Sequence, residues 1–181
     1  MKKKPIVIGG IHGVGKTTLC EKLSKELGIE HYTASDLIRK IKNSYISIKD
    51  KRAADINDNQ NALVLAIENH INTNLPYFLD GHFCLLEKNY SISRIPKRTF
   101  QAINPVGVII FYDDVLNIQK RLNARDNESY NLNLLSDFQE EEIDYSKEIS
   151  EELKIPHLLF KTDNDTSVIS QFVQEIIGIE E

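Results

Sequence analysis

Four short, nearly continuous apolar runs punctuate the chain: Ile6-Val7-Ile8, Tyr77-Phe78-Leu79, Val106 to Phe111, and Leu158-Leu159-Phe160. Runs without polar alternation belong to strands covered on both faces, as in parallel sheets. Helical patterns lie between them. Leu19, Leu23 and Leu27 recur at i, i+4, i+8, and Gly28 is placed to cap that helix. A weak strand, Glu30-His31-Tyr32, precedes Thr33, an N-cap with Asp36 three residues on, for a helix carrying Leu37, Ile38 and Ile41. The stretch 43–58 is polar and unpatterned and reads as mobile. Leu63, Ile67, His70 and Ile71 then share a helix face, ending near Asn74 ahead of Pro76. Residues 84–104 read as an irregular excursion with one short helix from Pro96 to Ala102.

The run 106–111 is the most apolar and reads as the central strand. After it come the stripe Val115, Ile118, Leu122, a polar gap from Asp126 to Asn133, and a long helix carrying Leu135, Phe138, Tyr145, Ile149 and Leu153. A last helix presents Val168, Ile169, Phe172, Val173, Ile176 and Ile177 as an apolar face. Strands alternating with helices, joined by right-handed crossovers, predict an α/β fold: a parallel sheet with helices on both faces.

Composition narrows the class. The 181 residues suit one domain, and 41% hydrophobic with 27% charged residues is ordinary for a soluble globular protein. A net charge of −5 without a basic stripe argues against broad nucleic-acid binding. The two cysteines, Cys20 and Cys84, are far apart and suggest neither a disulfide framework nor a zinc site. The apolar run after Met1-Lys2-Lys3-Lys4 stops at Gly9, and no stretch of about 18 apolar residues follows. A reducing cytoplasm and no membrane crossing are expected.

The chemistry is concentrated in Gly10-Ile11-His12-Gly13-Val14-Gly15-Lys16-Thr17, which matches G-x-x-x-x-G-K-[ST] between a strand and a helix. The glycines let successive N–H groups turn inward around a polyphosphate. Lys16 supplies a point charge between the β- and γ-phosphates, and is expected to be exposed in the empty loop. The Thr17 hydroxyl is a ligand for Mg²⁺, and the helix N-terminus, continuing through Thr18, adds its positive end. His12 occupies a variable position. Together these predict a three-layer P-loop NTPase fold with a five-stranded parallel sheet, formed by one domain over 1–181.

Further candidates lie where strands end, the ligand edge of open α/β sheets. Asp80 follows Tyr77-Phe78-Leu79 in the place of a Walker-B-type aspartate for Mg²⁺. Asp36 and Arg39 share a face of the helix after the second strand. Arg121 and Arg125, four apart, place cations at the carboxyl edge, suited to a developing phosphoryl charge.

The P-loop, Thr33-Ala34-Ser35-Asp36-Leu37-Ile38-Arg39, Leu79-Asp80-Gly81 and Arg121-Leu122-Asn123-Ala124-Arg125 occur in the order of the adenylate kinase-like nucleoside monophosphate kinases. The chain most resembles their short archaeal-type and ribosome-assembly group. That resemblance implies that Arg39 grips the acceptor phosphate and that Arg121 and Arg125 begin a lid over the transferring group. It further implies an acceptor-binding segment at 34–75 and a short lid at 121–135. The acceptor-site D-G-F-P-R of ordinary adenylate kinases reads Asp80-Gly81-His82-Phe83-Cys84 here, with His82 beside the place of the missing arginine.

The resulting expectation is Mg²⁺- and ATP-dependent phosphoryl transfer to a small phosphate-bearing acceptor, foremost a nucleoside monophosphate, catalysed by Lys16, Arg121 and Arg125. Asp36, Arg39 and His82 would bind the acceptor. Two rivals are a kinase of a small alcohol with Asp36 as base, and a slow ATPase switch acting on a protein or ribonucleoprotein partner, favoured by a short lid that excludes water poorly.

Overall fold

The computed structural model describes residues 4–46, 59–71 and 74–178. Its first strand, β1 (Pro5–Gly9), is buried along its whole length and forms the middle of a five-stranded parallel sheet. The order is β2 (His31–Thr33), β3 (Tyr77–Asp80), β1, β6 (Gly107–Tyr112), β7 (His157–Lys161). Three of the four continuous apolar runs, those of β1, β3 and β6, mark strands covered on both faces, as their lack of alternation predicted; the fourth forms edge strand β7, where Leu159 is exposed on one face. β6 is interior but not central, because β1 separates it from the β2–β3 half. Its apolar length reflects coverage rather than position.

Helices cover both faces of the sheet. α1 (Lys16–Leu27) packs on β2 and β3, α6 (Leu132–Leu153) on β6 and β7, and α7 (Ser167–Gly178) on β7. α1 turns Lys16, Cys20 and Leu23 inward and is closed by Gly28 at φ 66°, whose N–H donates to the Ser24 carbonyl. α2 (Ala34–Ile46) starts as expected, with the Asp36 N–H donating to the Thr33 hydroxyl at 3.2 Å. α3 (Asn59–His70) lies beside it and buries Ala62, Leu63, Ala66 and Ile67. His70 is exposed and not on that buried face, and the helix ends there rather than near Asn74. The polar stretch read as mobile lies outside the described residues from 47 to 58.

The segment 84–104 is more ordered than its sequence suggests. β4 (Cys84–Leu86) and β5 (Ile92–Arg94) form an antiparallel hairpin, followed by α4 (Lys97–Ile103). Each strand is only three residues long, and the turn uses Tyr90 at φ 64° in place of a glycine, so neither alternation nor a turn dipeptide announces it. α6 holds this hairpin through its acidic face. Arg94 pairs with Glu141 and Glu148, and the Tyr145 hydroxyl donates to the Ile95 carbonyl at 2.6 Å.

α5 (Val115–Asp126) follows β6, and α6 begins after a five-residue connection, with Asn131 accepting the Leu134 N–H. The 121–135 stretch is thus the end of α5, a tight turn and the start of α6. No helix among the described residues is long and apolar enough to cross a membrane.

Candidate active site

Parallel register brings the carboxyl ends of β1, β3 and β6 together, with Ile8 opposite both Asp80 and Ile109. At this edge the chain leaves β1 into the P-loop. Gly13 has φ 80°, and a Cβ there would stand 2.7 Å from the Leu122 side chain. Gly10 has φ 137°, and a Cβ would meet the Phe111 carbonyl at 2.6 Å. Only glycine satisfies both the backbone and the space at these two points. Ile11 and Val14 are buried and anchor the loop from below, whereas Gly15 and Thr17 are open.

A cavity of about 700 Å³ opens over this loop. Ile11, His12, Gly13, Gly15, Lys16, Thr17 and Thr18 line one end, joined by Asp80, His82, Arg121 and Arg125. The far wall mixes neutral polar groups from Thr33, Ser35, Asn59 and Thr99 with apolar ones from Ile38, Leu63 and Phe100.

Lys16 is 8% exposed, contrary to the expectation of an open lysine, because its ammonium turns back to donate to the Gly10 carbonyl at 2.5 Å. Burial lowers its pKa, against the pull of Asp80 and Glu142. The Thr17 hydroxyl lies 3.1 Å from the Asp80 carboxylate. Two hard oxygen donors side by side at a helix N-terminus, with open space above, suit Mg²⁺ completed by waters and phosphate oxygens.

Arg121 is fixed by three acceptors. It donates to the Gly13 and Val14 carbonyls at 3.2 and 3.3 Å and to the buried Asp113 carboxylate. Burial alone would raise the Asp113 carboxyl, but hydrogen bonds from Arg121, the Asp114 N–H and Asn117 hold it below the ordinary range. Arg125 pairs with Asp126, which also accepts from the Tyr130 hydroxyl at 2.6 Å.

His12 and His82 meet ring to ring, 4.4 Å between centroids and tilted by 49°. The His82 imidazole is held well below its ordinary pKa, first by burial and then by Lys16 and His12, and the first two of these causes act in the same direction on His12, whose side chain is open to solvent. His82 Nδ1 is buried without a hydrogen-bond partner among the described residues.

Asp36 and Arg39 are not brought to this cavity. They pair with each other at 2.8 Å on the exposed face of α2, while Leu37 and Ile41 turn inward. Their spacing does put them on one face, but it is the solvent face.

Two residues outside the sequence expectation hold the site. Asp113 directly follows β6, much as Asp80 ends β3, a parallel the strand pattern offered. Glu142 is 1% exposed in α6, and its carboxylate accepts from the Gly10 N–H at 2.9 Å, the Phe83 N–H at 3.0 Å and the Cys84 N–H at 2.6 Å. It thereby ties the P-loop to the segment after Asp80. Burial pushes its pKa up, and these N–H groups and Lys16 pull it back. Its signal was a charge within the stripe of Leu135, Phe138, Tyr145 and Ile149.

A sequence profile described as an AAA domain matches residues 9–135, from the P-loop to the start of α6. No curated protein sequence matches the chain. Among solved structures it is similar to a gluconokinase from Sinorhizobium meliloti 1021, at 14% identity and a TM-score of 0.51 over 98% of this chain and 94% of that one. A proposed kinase from Chloroflexus aurantiacus gives 14% identity and a TM-score of 0.58 over 97% and 96%. An uncharacterized protein from Eubacterium ventriosum gives 12% identity and a TM-score of 0.51 over 98% and 99%. At such identities the likeness concerns the fold.

Proposed function

The chain belongs to the AAA domain family, and on that premise we propose that it transfers the γ-phosphoryl group of ATP, with Mg²⁺, to a small phosphate-bearing acceptor, foremost a nucleoside monophosphate. The observation that carries this reading is the Thr17 hydroxyl 3.1 Å from Asp80 beneath a P-loop whose carbonyls hold Arg121. Thr17 and Asp80 would hold Mg²⁺, which would supply neutralisation of the phosphate charge.

The chain's own groups divide the remaining work. Lys16 exchanges the Gly10 carbonyl for phosphate oxygens, and the glycine-rich backbone offers N–H donors to them. Arg121, already oriented by three acceptors, faces the same end of the cavity, with Arg125 one helical turn further. Phosphoryl transfer asks for positioning and charge neutralisation, and this cluster supplies both. A phosphate acceptor is already an anion at neutral pH and needs no base. Neutral His82 can donate or accept a hydrogen bond to it. Asn59, Thr99 and Phe100 on the far wall offer amide, hydroxyl and aromatic contacts suited to a neutral base.

The named gluconokinase supports an alcohol acceptor as the second reading. Asp36, the base that reading assigned, lies outside the cavity lining, as does Arg39, the acceptor-phosphate residue of the first reading, so their placement does not separate the two. A cytoplasmic setting, where ATP is abundant, fits either one. The test is a panel of nucleoside monophosphates and small alcohols with γ-labelled ATP, scored for labelled product against free phosphate. A labelled nucleoside diphosphate supports the proposal. A labelled sugar or alcohol replaces it with the second reading, and phosphate alone with an ATPase.

A further inference from the structure

Beneath the P-loop, three side chains from three elements converge. Cys20 projects from α1 one turn beyond Lys16, His31 opens β2, and Asp80 ends β3. One ligand atom from each lies within 4.8 Å of the others. Cys20 is fully buried, and the His31 and Asp80 side chains are 10% and 7% exposed. His31 Nε2 has no hydrogen-bond partner among the described residues, and the nearest carboxylate oxygen, Oδ2 of Asp80, is 3.9 Å away. That distance is too long for a hydrogen bond. A buried nitrogen left so costs free energy that a bound ion would recover.

We propose that Cys20, His31 and Asp80 form a site for a borderline-soft divalent ion of the zinc type, which competes for the carboxylate that Mg²⁺ would use. Thiolate, imidazole and carboxylate are the three donor types zinc accepts, with one position left for water. Tetrahedral zinc holds its ligand atoms roughly 3.3–3.5 Å apart, so the His31–Asp80 pair, now 3.9 Å apart, closes by about half an ångström, and no pair within the 4.8 Å cluster closes by more than about 1.5 Å. Mg²⁺ prefers oxygen donors and has no use for the sulfur. The ammonium of Lys16 lies near the cluster and opposes a second cation, so occupancy depends on bonds to sulfur and nitrogen. Burial pushes the Cys20 thiol pKa up, so it is protonated when the site is empty. Binding therefore forms three coordinate bonds and releases the Cys20 proton to solvent. The sequence hid this site because its ligands, at 20, 31 and 80, follow no short spacing. Ion binding itself is independent of the kinase reading; the inhibition it causes rests on that reading.

The experiment titrates the full chain, stripped with a chelator, with Co²⁺ followed by absorbance. One equivalent should produce a thiolate-to-cobalt charge-transfer band, which added Zn²⁺ bleaches. Cys20→Ser should lose the band. His31→Gln, checked for native circular dichroism, should weaken Co²⁺ binding at least tenfold. Because Cys84 is the only other thiol, a band that survives in Cys20→Ser overturns the assignment, as does Co²⁺ binding with no band in the parent. In the ATP assay, Zn²⁺ should inhibit the parent and leave Cys20→Ser turning over at the zinc-free rate. Equal inhibition of both would overturn the shared-carboxylate proposal. A cobalt band in a chain without turnover would instead overturn only the kinase reading.

Discussion

Replacing Glu142 with Gln removes one oxygen from a carboxylate that serves three backbone donors. Oε1 accepts from the Gly10 N–H, Oε2 accepts from the Cys84 N–H, and the Phe83 N–H reaches both at 3.0 Å. An amide keeps one acceptor, so its NH₂ must face either Gly10 or Cys84, donor against donor. A buried N–H left without an acceptor costs about 1–3 kcal/mol. Relief of the buried charge offsets part of this. The net expectation is about 2 kcal/mol, which for a chain of this size lowers Tm by roughly 4–8 °C. Gly10 begins the phosphate loop and Phe83 follows Asp80 by three residues, so the lost bond also loosens loop and carboxylate relative to each other. If half of that energy comes from transition-state binding, kcat/KM falls about fivefold, since 1.4 kcal/mol corresponds to about tenfold. Differential scanning calorimetry and steady-state kinetics on the folded variant measure the two quantities. A Glu142→Gln protein with parental Tm and parental kcat/KM would refute the view that this carboxylate holds the site together.

Three other perturbations have definite expectations. Lys16→Ala should reduce transfer at least ~10²-fold and, because the lysine is buried near Asp80 and Glu142, also lower Tm; unchanged turnover would remove it from the mechanism. Arg39→Ala should leave the acceptor KM within about twofold, as expected of a side chain outside the cavity, whereas a rise of ~10-fold would return Arg39 to the acceptor site. Asp113 has a folded pKa below its unfolded value of about 3.9, so its contribution is present above that pH and is lost as pH falls through the folded value. Asp113→Asn should accordingly lose stability at pH 7 and show a shallower acid limb in chemical denaturation, and an identical acid limb would contradict the Arg121 pairing.

The parallel sheet and the phosphate loop were legible because both rest on local pattern. Apolar runs mark the doubly covered strands β1, β3 and β6, though edge strand β7 carries one too with Leu159 exposed, and the glycine spacing of the loop encodes its backbone shape. The hairpin at 84–94 was not legible: strands of three residues carry too little alternation, and the contacts that stabilise it come from α6, about 50 residues away in sequence. Arg39 shows the limit of helical spacing, which places two side chains on one face without saying which face meets the cavity. Glu142 accepts from backbone N–H groups 58 to 132 residues away in sequence, so only the folded chain brings it to its partners; Asp113 pairs with Arg121 eight residues on, across the turn from β6 into α5, a link that neither strand nor helix spacing announces.

The contact of Gly13 with Leu122 and Ile118 has a thermodynamic consequence. With Arg121 bonded to the same turn, the phosphate loop and α5 form one cooperative unit, so free energy gained at the loop is shared with the helix. Linkage then requires that a bound triphosphate slow hydrogen exchange along α5, including amides that touch no ligand. The converse also holds: a substitution that frays α5 far from the cavity until its open form is populated raises the nucleotide Kd by the inverse of the fraction that stays closed.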